Sequence, residues 1–173
     1  MNVTFQTVYD QKALRTMARA LRKTVRKKHS RRSHVFGWIV AALGLLLSFL
    51  SGEDGFTVTG KTVLTWLVVA VIVVTLIWED HLNGYLAGKR ALPGTKHTMA
   101  TFDEEGYTSF NTAGETRWKY ENIQRVAETK EYFVFVLNIN HAQVYSKGDM
   151  SGGTPEEFRS FLEEKLGKPV EQI

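Results

Sequence analysis

Two stretches of the chain carry no charged residue, Val35 to Leu50 (VFGWIVAALGLLLSFL) and Thr62 to Trp78 (TVLTWLVVAVIVVTLIW). A helix in a globular core normally keeps a polar stripe, and neither run has one. The pattern predicts a two-helix transmembrane hairpin with helices over about 35–50 and 62–78 and an external loop over 51–61. At about 1.5 Å per residue the longer run covers roughly 25 Å of a hydrocarbon layer about 30 Å thick, so flanking residues must join it or the bilayer must thin. A cleaved leader does not fit the first run. Its basic region would extend over residues 1–34, and Phe49, Leu50 and Ser51 do not form a small-x-small cleavage site.

Other periods flank the hairpin. In Asn2 to Tyr9, Val3, Phe5, Thr7 and Tyr9 alternate with polar positions as in a half-buried strand. Asp10 then offers an N-cap, and Leu14, Met17, Ala18, Leu21 and Val25 recur at helical spacing among Lys12, Arg15, Arg19, Arg22, Lys23 and Arg26. Residues 1–34 thus read as a cytosolic strand, expected to pair with the sheet of the small cytosolic module whose edge would otherwise stay open, followed by a basic amphipathic helix, which lies either on anionic headgroups or on the cytosolic module. Residues 79–94 read as a juxtamembrane linker.

Residues 95–173 have strand and turn punctuation: strands at Lys96 to Phe102, Tyr107 to Asn111, Glu115 to Trp118, Ile123 to Glu128, Tyr132 to Leu137 and His141 to Tyr145. Thr154, Pro155 and Glu157 start a helix, Phe158, Phe161, Leu162 and Leu166 give it an apolar stripe, and Gly167 and Pro169 stop it. The fold class is therefore an α+β membrane protein, a transmembrane hairpin carrying a small antiparallel β module closed by a C-terminal helix.

Charge orients this arrangement. Residues 1–34 hold ten Lys/Arg and one acid, whereas 95–173 hold nine bases and thirteen acids. The basic block precedes the first apolar run, which places both termini in the cytoplasm and the protein in the plasma (inner) membrane as a multi-pass protein, with Trp38 and Trp78 toward the cytosolic side. Gly37, Ala41, Gly44 and Ser48 share one face of the first membrane helix and allow close packing, on Thr65, Val68, Ile72 and Thr75 of the second helix or on another copy of the chain. With no ionisable residue in either run, an ion pathway has no anchor.

Candidate chemistry is sparse. Gly55 to Thr62 (GFTVTGKT) satisfies the phosphate-loop pattern, but a true loop needs a buried strand before it and a cytosolic helix after it, and here it joins two apolar runs on the external side. His29, His34, His81, His97 and His141 have no zinc-type spacing, the chain has no cysteine, and Ser109, Ser146 and Ser151 sit in no nucleophile elbow, so no cofactor, metal or catalytic residue is expected. Glu79, Asp80 and His81 read as a solvated helix end. The basic block is juxtamembrane, which argues against nucleic acid as a partner.

The order of features, with FDEEGYTSF, RWKYENIQRVAETKEYFVFVL, AQVYSKGDM and TPEEFRSFLEEKL, resembles the YcxB-like membrane proteins of bacteria, whose C-terminal domain is similar to a pleckstrin-homology (PH) barrel. Trp118 matches the family's Trp before a short turn, and Ile123 and Val126 match the apolar positions after it. Lys147 matches the Lys of an Ile-Pro-Lys stretch that is Tyr145-Ser146-Lys147 here. The resemblance implies no enzyme activity and no catalytic residues. Phosphoinositide binding does not follow from fold alone, and the module is net acidic. Arg117, Lys119 and Arg125 share a face with Glu115, Glu121 and Glu128 as a solvated strand surface, and with Trp118 and Lys147 they are the candidate interaction residues. The expected activity is membrane-anchored, non-enzymatic regulation or interaction through the PH-like module, with the lipid bilayer, a protein partner and a second copy of the chain as partners. The alternatives are an immunity protein against a membrane-acting toxin and a phosphate-loop nucleotide-binding protein.

Overall fold

A computed structural model describes residues 2–50 and 57–173. The first part of the Gly55 to Thr62 match and most of the expected external loop lie outside the described residues. In chain order the elements are β1 (Val3–Val8), α1 (Gln11–Lys23), α2 (Lys27–Phe49), α3 (Gly60–Ile77), α4 (Glu79–Arg90), β2 (His97–Phe102), β3 (Gly106–Asn111), β4 (Gly114–Lys119), β5 (Arg125–Glu128), β6 (Tyr132–Val136), β7 (Ala142–Ser146), β8 (Met150–Ser151), α5 (Pro155–Leu166) and β9 (Glu171–Gln172). The architecture is α+β with two long apolar helices, α2 and α3. By length and composition both helices suffice to span a membrane.

The strands form two sheets, ordered β4-β3-β2-β1-β8 and β7-β6-β5-β9. All pairs are antiparallel except β5 with β9. β1 lies inside the first sheet, paired along its whole length with β2, from Val3 opposite Phe102 to Val8 opposite His97, and with β8 on its other side. The helices α1 to α4 are thus inserted between two neighbouring strands of one sheet. β1 also meets β7 through side chains: the Ser146 N–H donates to Thr7 Oγ1 at 2.9 Å and the Val144 N–H to the Tyr9 hydroxyl at 3.2 Å.

The core lies between the sheets and α5, where Phe5, Phe102, Phe133, Phe135, Tyr145 and Phe158 are fully or almost fully buried. Phe158 of α5 sits 5.0 Å, ring to ring, from both Phe5 and Phe102. The helix is held in place by a capping box between Thr154 and Glu157 and by Gly167, whose φ of 60° provides the left-handed C-cap. A second core lies on the outer face of the other sheet, where Ala13, Ala20 and Leu21 of α1 cover Ala127, Val134, Val136, Ala142 and Val144. β6 is therefore buried on both faces, which accounts for its unbroken apolar run, Tyr132 to Val136. Of the two readings of the basic helix, packing on the module is the one observed. Its apolar face is not available to lipid.

Three boundaries differ from expectation. α2 starts at Lys27, inside the basic block, because Lys and Arg are good helix formers and a charged turn does not end a helix. α3 starts at Gly60 behind the N-cap Thr59; the Thr62 hydroxyl is engaged with Thr59 in a capping box, 3.1 Å away. The expected linker over 79–94 is largely the helix α4.

Between α2 and α3 the small residues are used as spacers. A Cβ on Gly37 would come within 2.9 Å of the Leu76 side chain, and one on Gly44 within 3.0 Å of Val69. Ala41 and Ser48 are buried on the same face, and the Ser48 hydroxyl accepts the Trp66 indole N–H at 3.0 Å. Thr65 approaches Gly44 too, as expected, while Val69 and Leu76 are contacts the spacing did not single out.

Candidate functional site: the helix junction and the β4 edge

Four helix segments meet where the hairpin joins the module. Arg22 near the end of α1 donates from Nε and Nη2, one edge of its guanidinium, to the two oxygens of the Asp80 carboxylate of α4, with both distances 2.6 Å. The bond to Asp80 raises the Arg22 pKa further. Glu79 receives His34 Nε2 at 2.6 Å and the Ser30 hydroxyl at 3.3 Å, both from α2. Glu79 and Asp80 are thus ion-paired groups rather than a solvated helix end, because the first turn of α4 packs between α1 and α2. Arg26 completes the junction by donating to the Ile139 carbonyl at 2.6 Å and to Asn140 Oδ1 at 2.8 Å, in the turn between β6 and β7.

One turn further along, α4 crosses α1 at a glycine. A Cβ on Gly84 would lie 2.8 Å from the Arg15 backbone nitrogen, and one on Gly88 would lie 3.1 Å from the Leu14 side chain. Sequence reasoning missed this contact, although Gly84 and Gly88 stand four apart and announce a close helix crossing.

The five interaction candidates do not form one patch. Arg117, Trp118 and Lys119 lie on β4, an exposed six-residue strand at the edge of its sheet. Arg117 pairs with Asp103 and Glu105 at 3.3 and 3.1 Å, and Lys119 with Glu121 at 3.7 Å. Arg125, on the other sheet, pairs with Glu171 at 3.2 Å. Of the expected acidic neighbours, Glu121 alone takes its assigned role. Trp118 turns inward against the core, its ring 5.6 Å from that of His141, and its buried indole N–H has no hydrogen-bond partner among the described residues. Burial lowers the His141 pKa.

Lys147 belongs to a buried cluster that the strand-surface reading misplaced. It pairs with Glu128, which also accepts from Arg159 Nε and Nη2 at 2.6 and 2.7 Å and from Gln172 Nε2 at 2.6 Å. The signal for burial was present: period-2 alternation puts Glu128 on the same face of β5 as Val126, which points into the core. The cluster ties β5, the turn after β7, α5 and β9 together.

With this geometry in view, the comparison with known families covers much of the same module. Residues 102–162 match the YcxB-like protein family. The YcxB-like segment runs from the end of β2 into α5 and contains Trp118, Glu128, Lys147 and Arg159, while β1 and the four inserted helices lie outside it. It is the family that the sequence motifs resemble. No curated protein and no solved structure matches the chain. Among the described residues, no group of three or more His, Asp or Glu could hold a metal ion. The ionised groups of the YcxB-like segment described above are engaged as structural pairs, within the segment or, for Arg125, with Glu171 beyond it, and the exposed ones among them contribute little individually.

Proposed function

We propose that the protein is a membrane-anchored, non-enzymatic interaction or regulatory protein, held by α2 and α3 in the plasma (inner) membrane with both termini in the cytoplasm. Its module is read as PH-like: β1 to β4 make one meander, β5 to β7 a second, and α5 covers the open end. The observation that carries this reading is the junction of Arg22, Asp80, Glu79 and His34, which fastens two exposed apolar helices to the module at a fixed place. Such fastening suits a protein that presents a surface at a set height from the bilayer.

The surface best suited to a protein partner is the β4 edge. The other long outer strand, β7, has two of its N–H groups bonded to the side chains of Thr7 in β1 and of Tyr9 just after it, whereas β4 is exposed except at Trp118 and carries Glu115, Arg117 and Lys119. A partner strand added there would satisfy open backbone groups, with the alternating charges selecting its sequence. A photoreactive amino acid at Thr116, in the middle of β4, should give a discrete cross-linked species in intact cells. The same probe at Lys168, beyond α5, should give none. An adduct at Lys168 without one at Thr116 would remove β4 as the docking edge.

A further inference from the structure

α2 has two faces of opposite purpose along its whole length. Ser30, His34, Gly37, Ala41, Gly44 and Ser48 follow one another three or four residues apart and turn toward α3 and α4. On the outer side, Lys28, Arg31, Arg32, Val35, Phe36 and Ile39 repeat the same spacing and line one shallow concavity. Phe36 is 69% exposed and Ile39 51% exposed.

Pairing separates some of the basic residues, and Arg15, Arg19, Lys23 and Lys27, which are also without a side-chain partner among the described residues, lie off this face. Arg22 and Arg26 are bonded to Asp80 and to the β6–β7 turn, and Lys12 to Glu131. Lys28, Arg31 and Arg32 are exposed, and among the described residues none of them has a hydrogen-bond or ion-pair partner. The acids that lie close by, Glu79 and Asp80, are already engaged by His34 and Arg22. Arg31 and Arg32 thus sit one helical turn, about 5.4 Å, before the first lipid-soluble residues of the same face, and the third free cation, Lys28, one turn earlier.

We infer that this outer face of α2 binds an anionic glycerophospholipid from the surrounding cytoplasmic leaflet. The inference rests on the membrane reading above. Its phosphodiester would be gripped by the Arg31 and Arg32 guanidinium forks with Lys28 behind them, and an acyl chain would lie along Val35, Phe36 and Ile39. Charge complementarity selects the occupant. A zwitterionic lipid brings its own ammonium group against three cations, while an anionic one supplies the missing counter-charge. A topological signal alone would need positive charge on the correct side of the membrane, not its alignment with one apolar stripe.

Trp38 follows Val35 by three residues, which places it beside this face, and it is half exposed, so it reports the lipids there. The test uses the full chain with Trp66→Phe and Trp78→Phe, reconstituted in mixed phosphatidylglycerol and phosphatidylcholine vesicles in which one lipid at a time is dibrominated. Brominated phosphatidylglycerol should quench Trp38 more strongly, corresponding to a preference of about threefold or more. Arg31→Gln with Arg32→Gln should bring the two lipids to parity, and Arg31→Lys with Arg32→Lys should retain part of the preference. Arg15→Gln with Arg19→Gln removes the same charge from α1 and should leave the preference intact. Equal quenching by both lipids in the parent, or an equal loss in the α1 variant, would overturn the site while leaving insertion standing. Quenching by neither lipid would overturn insertion and the site together.

Discussion

A carboxylate with 1% of its side chain exposed stays ionised only where donors replace the lost water, and Glu128 has Arg159, Lys147 and Gln172 as donors. Burial pushes its pKa up, and these hydrogen bonds outweigh the burial and hold it below the ordinary glutamate value. A depressed carboxyl pKa contributes stability that is fully present above the unfolded-state value of about 4.3 and is lost as pH falls through the folded-state value. Thermal unfolding followed by circular dichroism in detergent should therefore show a melting temperature that drops as the solution is acidified below about pH 4.3. Glu128→Gln leaves Lys147 and Arg159 without a counter-charge and should cost about 3 kcal/mol at neutral pH. The same variant should show a shallower acid limb, because the group that titrates is gone. An unchanged acid limb in the variant would assign the pH response elsewhere. Tyr9 illustrates the opposite balance: burial pushes its hydroxyl up to about 12, so it remains a neutral acceptor for the Val144 N–H.

At the level of elements, the contact between α1 and α4 depends on the absence of a side chain at Gly84. Gly84→Ala would force a methyl group to within 2.8 Å of the Arg15 backbone, which has no freedom to rotate away. The helices must separate, at about 1–3 kcal/mol, and protease should then cut at the junction sooner. Gly60→Ala is the matched control, since a Cβ there meets nothing within 4 Å; its melting temperature should stay close to that of the parent. The same pair shows which elements were legible in the chain. Strands β2 to β7 and helix α5 carry their own signals, alternation, turns and a capping box, and fall within a residue or two of expectation. α4 does not, because the face that packs on α1 is made of glycines and ion pairs, while its apolar residues at helical spacing, Leu82, Tyr85 and Leu86, stay exposed. β8 and β9 have two residues each, too few for any period. The inward face of Glu128 could be counted from Val126, but its donors come from residues 19, 31 and 44 positions away, and no local pattern connects them.

For the whole molecule, the segregation of charge and the placement of the helices argue for one orientation. The ten bases of residues 1–34 gather before and within the start of α2, while the α2–α3 connection is mildly acidic. The chain contains no cysteine, so a single introduced thiol is an unambiguous reporter. Val58→Cys, in the exposed approach to α3, should be labelled by an impermeant thiol reagent in intact cells. Lys168→Cys, past α5, should be labelled only after the membrane is opened. Labelling at position 168 in intact cells would reverse the proposed orientation and with it the cytoplasmic place of the module. The relation of β1 to the rest was readable in part: its alternation and the small size of the module predict pairing with the cytosolic sheet, which is observed, but its position between β2 and β8 depends on partners far along the chain.

That position sets an order of events during synthesis. Thr4 and Thr101, cross-strand partners, are 97 residues apart, and the whole hairpin is translated between them. When β1 leaves the ribosome there is nothing for it to pair with. The α2–α3 segment follows, and in the proposed orientation it has entered the membrane before β2 exists. The Arg22–Asp80 contact then brings the two ends of the insertion together, which shortens the loop that the sheet has to close. In that orientation a closed sheet comes only after the hairpin has had the chance to insert. A chain that stalls earlier shows the bare edges of β2 and β8, the kind of unpaired strand that quality-control proteases and chaperones encounter in unfinished proteins.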